Sequence, residues 1–298
     1  MKGNRAMKKT ITILLTLIVG IMFFGCEGDD PTSSNGDASQ IMFVYAQHDN
    51  YYWDEETDEQ VFQENTTGWG VVFGDPLPEF VHLKLGETVF SGDDYSSVYP
   101  GYIGIGIGEN DEERAMITSN FTPLTVEVKT SLGTVNGTVS LPDTITTLTL
   151  SEYDTLQIGE PFTVSWSGSE AEFYSVAMEY YWVDDDDNWH WEYLDEFVSE
   201  NSITYAGSIF SHNGEIDYIR VQPMNGPLPV EGAVGNMSGD GSGFLYYMAD
   251  RIYYDDGYII VGSGIYGGMA KTSLNKPGEQ VIKERIRERI ENKILGNQ

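Results

Sequence analysis

The stretch Phe162-Thr163-Val164-Ser165-Trp166 sets an apolar side chain at every second position, the period of a strand with one face on a core. Trp166 is able to face inward with Phe162 and Val164. Downstream, Tyr174-Ser175-Val176-Ala177-Met178 reads as the next strand, and Tyr218 to Gly226 (YIRVQPMNG) as a late one that runs into Asn225-Gly226. Upstream, from about Ile41 to Leu141, the same short runs recur. They are Ile41–Tyr45, Gly70–Phe73, Phe80–Leu85 beyond the breakers Gly74-Asp75-Pro76, Leu124–Lys129, and Val135–Leu141 before Pro142. Tyr102 to Gly108 (YIGIGIG) alternates Ile with Gly, so one face packs while the other admits a close neighbour. Short strands at this spacing predict an all-β chain of sandwich type.

The stretch from about Thr144 to Gly267 resembles the fibronectin type III and related immunoglobulin-like modules. The likeness rests on the early Trp166, the Tyr-x-Val strand of Tyr174 and Val176, and the late Tyr-x-x-Val strand of Tyr218 and Val221 before Asn225-Gly226. It implies two facing antiparallel sheets. Gly232 to Gly243 (GAVGNMSGDGSG) reads as a Gly-rich insertion before last strands around Leu245–Tyr254 and Tyr258–Val261.

The two ends of the chain are different material. Lys2, Arg5, Lys8 and Lys9 precede the apolar run Thr10–Phe24, which is shorter than the roughly 20 residues a membrane span needs. Phe23-Phe24-Gly25-Cys26 then resembles the lipobox of bacterial lipoproteins. The resemblance implies cleavage after Gly25 and a diacylglycerol thioether on Cys26. Cys26 is the only cysteine of 298 residues, so it has no disulfide partner. Two or three acyl chains, at about 0.8 kcal/mol per buried CH₂, make a durable anchor. Glu27-Gly28-Asp29-Asp30 resembles a surface-export signal of lipoproteins in Bacteroidota and related bacteria, so the expected location is the outer membrane, on its outer surface or its periplasmic face. Glu27–Gln40 reads as a polar tether that spans on the order of 45 Å when extended. At the other end, Lys271–Gln298 holds seven basic residues against four Glu, with Ile282, Ile286, Ile290 and Ile294 at spacing four. This predicts a basic amphipathic helix that packs on the acidic body, binds a partner, or frays.

Charge bounds the partners. The formal charge is −31, and the four basic residues of the first 25 leave −35 for the rest. Between Cys26 and Ala270 only Lys84, Arg114, Lys129, Arg220 and Arg251 are basic. Phosphate backbones are repelled by such a body, which excludes nucleic acid. A glycan or protein ligand remains open, as does a divalent cation.

Two features suggest binding. Asp184, Asp185, Asp186 and Asp187 lie between the aromatic runs Glu179–Val183 and Trp189–Tyr193, which implies a hairpin with an acidic tip. That tip is a solvated turn or, as a weak candidate, a Ca²⁺ site, although it lacks the alternating ligands and Gly turn of a dedicated calcium loop. Trp189 and Trp191 share one strand face and suit stacking on sugar rings or ordinary cross-strand packing. Asp54–Glu59 repeats the acidic theme after Tyr51-Tyr52-Trp53. His48, His82, His190 and His212 have no zinc-type spacing, and Ser242 lacks a nucleophile elbow. The sequence identifies no catalytic residue and no required cofactor.

The expected organisation is a signal peptide (1–25), a lipidated flexible tether (26–40), a β-sandwich domain (41–142), an immunoglobulin-like β-sandwich domain (143–270) and a basic amphipathic helix (271–298). The expected function is a non-catalytic envelope lipoprotein that displays binding or spacer modules. The alternative is a carbohydrate- or calcium-binding accessory protein of a surface nutrient-uptake system, and behind that a hydrolase.

Overall fold

Ile41 to Ala46 (IMFVYA) has no polar position, the pattern of a strand covered on both faces. The computed structural model, which describes residues 39–54, 59–107, 123–150, 155–250, 252–254, 259–263 and 279–295, gives it that place. The signal segment, Cys26 and the tether up to residue 38 lie outside the described residues, as do Glu55–Asp58. Strand β1 (Ser39–Asp54) pairs antiparallel with β2 (Glu59–Asp75) along its length. From β1, Met42, Val44 and Ala46 enter one core, while Phe43 and Tyr45 enter another on the opposite face.

The first core lies inside a sheet that folds over on itself. On one side of it are β1, β2 and β6 (Tyr102–Ile107), with β5 (Ser96–Tyr99) at the edge. Opposite are β3 (Phe80–Leu85), β4 (Thr88–Ser91), β7 (Leu124–Thr130) and β8 (Gly133–Val139). Leu83, Leu85, Phe90, Val126, Val128 and Ile105 meet in this core. The alternation of β6 works as the sequence predicts. Ile103 and Ile105 are buried, and a Cβ on Gly104 would stand 3.0 Å from the Tyr99 ring, so the glycine face admits that ring.

The second core lies between a three-stranded sheet and a larger one. The small sheet has the order β14 (Ser202–Tyr205), β11 (Phe162–Ser167), β9 (Thr147–Leu150). Facing it are β13 (Trp189–Val198), β12 (Phe173–Val183), β15 (Gly214–Asn225), β19 (Ile259–Val261) and β10 (Thr155–Leu156). Trp166 is buried edge-to-face on Tyr174, with centroids 5.0 Å apart, beside Phe162, Val164, Val176 and Val221. Tyr174–Met178 and Glu179–Val183, separate in the sequence reading, form the single strand β12. The chain is therefore all-β with sandwich packing.

The Gly-rich stretch before Leu245 is more than an insertion. It holds β16 (Met237–Gly239) and leads into β17 (Ser242–Met248), which runs parallel to β1 from Ile41↔Ser242 to Gln47↔Met248. Its other edge is shared: β16 pairs with its start, and β15 pairs with its end at Met224↔Met248. Because β16 also pairs with β8, a segment from beyond residue 142 completes the first core through Met237, Leu245 and Tyr247. The expected strand Leu245–Tyr254 ends at Met248, and β18 (Ile252–Tyr254) follows as a separate strand on β15.

Helix α1 (Glu279–Leu295) covers the outer face where the two halves meet. Ile286, Ile290 and Ile294 pack against Phe43, Tyr45, Val71, Phe173, Met224, Phe244 and Tyr246. Of the three alternatives for this segment, packing on its own body is the one observed. No helix among the described residues is long and apolar enough to cross a membrane.

Candidate binding face on an aromatic hairpin

The β12–β13 hairpin carries the sequence-predicted site residues. Register from Tyr174↔Val198 to Val183↔Trp189 puts the acidic run at the tip. The tip folds around Asp184. Its Oδ1 accepts hydrogen bonds from the backbone N–H groups of Asp186 (3.0 Å) and Asn188 (2.9 Å) and from Asn188 Nδ2 (3.2 Å), while His190 Nε2 donates to Oδ2 at 2.8 Å. Asp187 takes the left-handed conformation, φ 61°, that closes the turn. The hydrogen bond from His190, then those from Asn188 and Asp186, hold the Asp184 carboxyl well below the usual carboxylate range. Asp184 is thus an acceptor already filled by its own turn. Among the described residues no group of three or more His, Cys, Asp or Glu converges as a metal would require.

Trp189 and Trp191 share the outer face, opposite the Trp166 core, and are 46 % and 51 % exposed. Their rings run nearly parallel, with centroids 6.1 Å apart, and Tyr181 stacks on Trp189 at 5.9 Å. The Tyr181 hydroxyl donates to Glu215 Oε2 at 2.6 Å, and Glu215 pairs across to Ile260, which is also exposed. On the inner face Trp182 lies between two imidazoles, His190 at 5.3 Å and His212 at 5.1 Å, with Tyr180 stacked beside them. This packing fixes the hairpin stem, so the indoles of the outer face are presented on a rigid ribbon.

The remaining histidines serve separate places. His82 Nε2 pairs with Glu127 at 2.6 Å, and His48 lies 3.5 Å from Thr66. Ser242 opens strand β17 opposite Ile41, with no strand-to-helix turn around it. Sequence reasoning grouped Tyr181 with the indoles in one aromatic patch but missed Glu215, because its strand β15 lies beyond the hairpin in the chain. It also missed that α1 reaches this face: the Arg285 guanidinium lies 4.2 Å above the Tyr193 ring. The strong basicity of residues 271–298 on an acidic body was the one available signal.

In comparisons with protein-family models and with curated proteins, nothing matches this chain.

Proposed function

We propose that this chain is a non-catalytic lipoprotein of the bacterial cell envelope, anchored in the outer membrane through Cys26, whose β-sandwich body serves as a binding module. The observation that carries the binding half is the half-exposed pair Trp189 and Trp191 on a braced hairpin. Indoles are usually buried, and two neighbouring ones left in water at this cost in apolar exposure point to contact with a ligand. The anchoring half rests on the lipobox resemblance and the sole cysteine. Two facing sheets around Trp166 support an immunoglobulin-like reading of the second half.

Mass spectrometry of the mature N-terminus tests the anchor: a lipidated Cys26 is expected, and a chain that still begins at Met1 or Met7 overturns it. Protease added to intact cells distinguishes outer-surface display, where the body is cut, from the periplasmic face, where it is spared.

The second reading, an accessory protein that binds neutral glycans, is favoured by the same flat indoles beside carboxylates. It expects Trp189→Ala or Trp191→Ala to abolish retention on a polysaccharide column while melting is unchanged; undiminished retention removes it.

A further inference from the structure

Part of the aromatic outer face is already covered, and what covers it has a consistent chemistry. Alternation along β13 puts Trp189, Trp191, Tyr193 and Phe197 on one face, opposite Val183, Tyr181, Glu179 and Ser175 of β12. Helix α1 reaches the last two rings and sets cations on both. Arg285 lies over Tyr193, while Arg289 and Lys293 lie 5.9 Å and 5.5 Å from the Phe197 centroid. The same two cations pair with Glu196, at 3.2 Å and 3.7 Å. Cation over ring with carboxylate alongside is therefore how this face is satisfied where it is satisfied.

The row continues beyond Tyr193 onto Trp191 and Trp189, where the indoles are exposed and Glu215 stands beside Tyr181, with Asp185 and Asp186 exposed at the tip. Indole is the best of the aromatic partners for a cation. The charge of the body points the same way. Subtracting the +3 of residues 271–298 from −35 leaves −38 on residues 26–270. That field attracts cationic ligands and gives a neutral one nothing.

We propose that the Trp189–Trp191 face docks a cationic peptide segment of a protein partner, with Arg or Lys side chains laid on the indoles and paired with Glu215 and the acidic tip, in continuation of the row that α1 occupies. This rests on the binding-module reading above and names its ligand class.

The test titrates the purified full chain with an oligo-arginine peptide, with oligo-citrulline as the uncharged isostere and with a neutral glucan oligosaccharide, followed by indole fluorescence and calorimetry. Oligo-arginine is expected to bind and to weaken with salt, whereas oligo-citrulline is not. Trp191→Ala and Trp189→Ala should each lower its affinity about tenfold without moving the melting temperature, with Trp191→Phe recovering part of it. Glu215→Gln should give a smaller loss. Equal affinity for wild type and both Trp variants would mean diffuse attraction to an acidic body and would overturn the proposal. Retention of the glucan without the arginine peptide overturns it as well, but leaves the binding-module reading standing. If neither probe binds, this inference falls, while the Cys26 anchor is judged separately by its mass.

Discussion

At the residue scale, Arg220 is the largest fully buried side chain among the described residues, 1 % exposed, and its place explains a charge set in the middle of a strand. Its Nη2 donates to Ser175 Oγ at 3.1 Å, and Ser175 in turn donates to Asp195 Oδ1 at 3.5 Å. Burial raises the Asp195 carboxyl pKa, and the charges of Arg220 and then Arg289 oppose that shift. Solvent does not reach Ser175, so this cluster is a structural one. Removing one member leaves an uncompensated buried charge, and Arg220→Ala should cost about 3–5 kcal/mol in denaturant unfolding. The tryptophans divide by environment in the same assay. Trp166→Ala empties a packed core site and should cost about 3–5 kcal/mol, whereas Trp191→Ala should stay within about 1 kcal/mol. Sequence alternation correctly placed Trp166 inward and Trp189 with Trp191 on one shared face. It gave no sign that the shared face was the outer one, because that depends on which side of β12 the small sheet occupies.

At the element scale, α1 shows how a stripe readable in sequence acquires a partner only in three dimensions. Spacing of four put Ile282, Ile286, Ile290 and Ile294 on one helix face; the Ile282 side chain lies outside the described residues, and the other three are buried. Beneath them Glu291 is nearly enclosed, takes a hydrogen bond from the Tyr45 hydroxyl at 3.4 Å and lies 3.7 Å from Arg287 Nε. Burial pushes its carboxyl up to about 7, against the opposing pull of Arg287 and Tyr45, with Glu288 adding to the rise. A carboxyl raised in the folded state contributes its full stability below its unfolded value near 4.3 and loses it as pH climbs through 7. At roughly 1.4 kcal/mol per pH unit, docking of α1 should weaken on the order of 3 kcal/mol across that window. Protease cleavage between the body and α1 should accelerate from pH 5 to pH 8, and Glu291→Gln should flatten that dependence. Ile290→Asp should release α1 at every pH in the same digest, since it sets a charge in the apolar contact.

At the scale of the whole molecule, the two halves are joined through β17, which completes the first core on one face and packs under α1 on the other. Residues 39–142 alone lack Met237, Leu245 and Tyr247 of their own core. Expressed in isolation they should fail to give a cooperative unfolding transition, and a peptide spanning residues 235–249 should restore one. The charge of the body adds a second expectation, because self-repulsion at short range is screened by salt. Melting temperature should rise as sodium chloride is increased from low ionic strength. The sequence by itself determined what depends on local period and composition: the β class, the positions of most strands, the acidic hairpin tip and the amphipathic face of α1. Period-two and period-four patterns record which side chains share a face, since they follow from the rise and twist of one element. They do not record what covers that face. The parallel pairing of β1 with β17, the return of residues 237–248 to the first core, the seating of α1 and the arrival of Glu215 beside the aromatic hairpin were decided by tertiary structure. Each joins segments far apart in the chain, and burial of apolar area, which carries no memory of sequence distance, selects the partner.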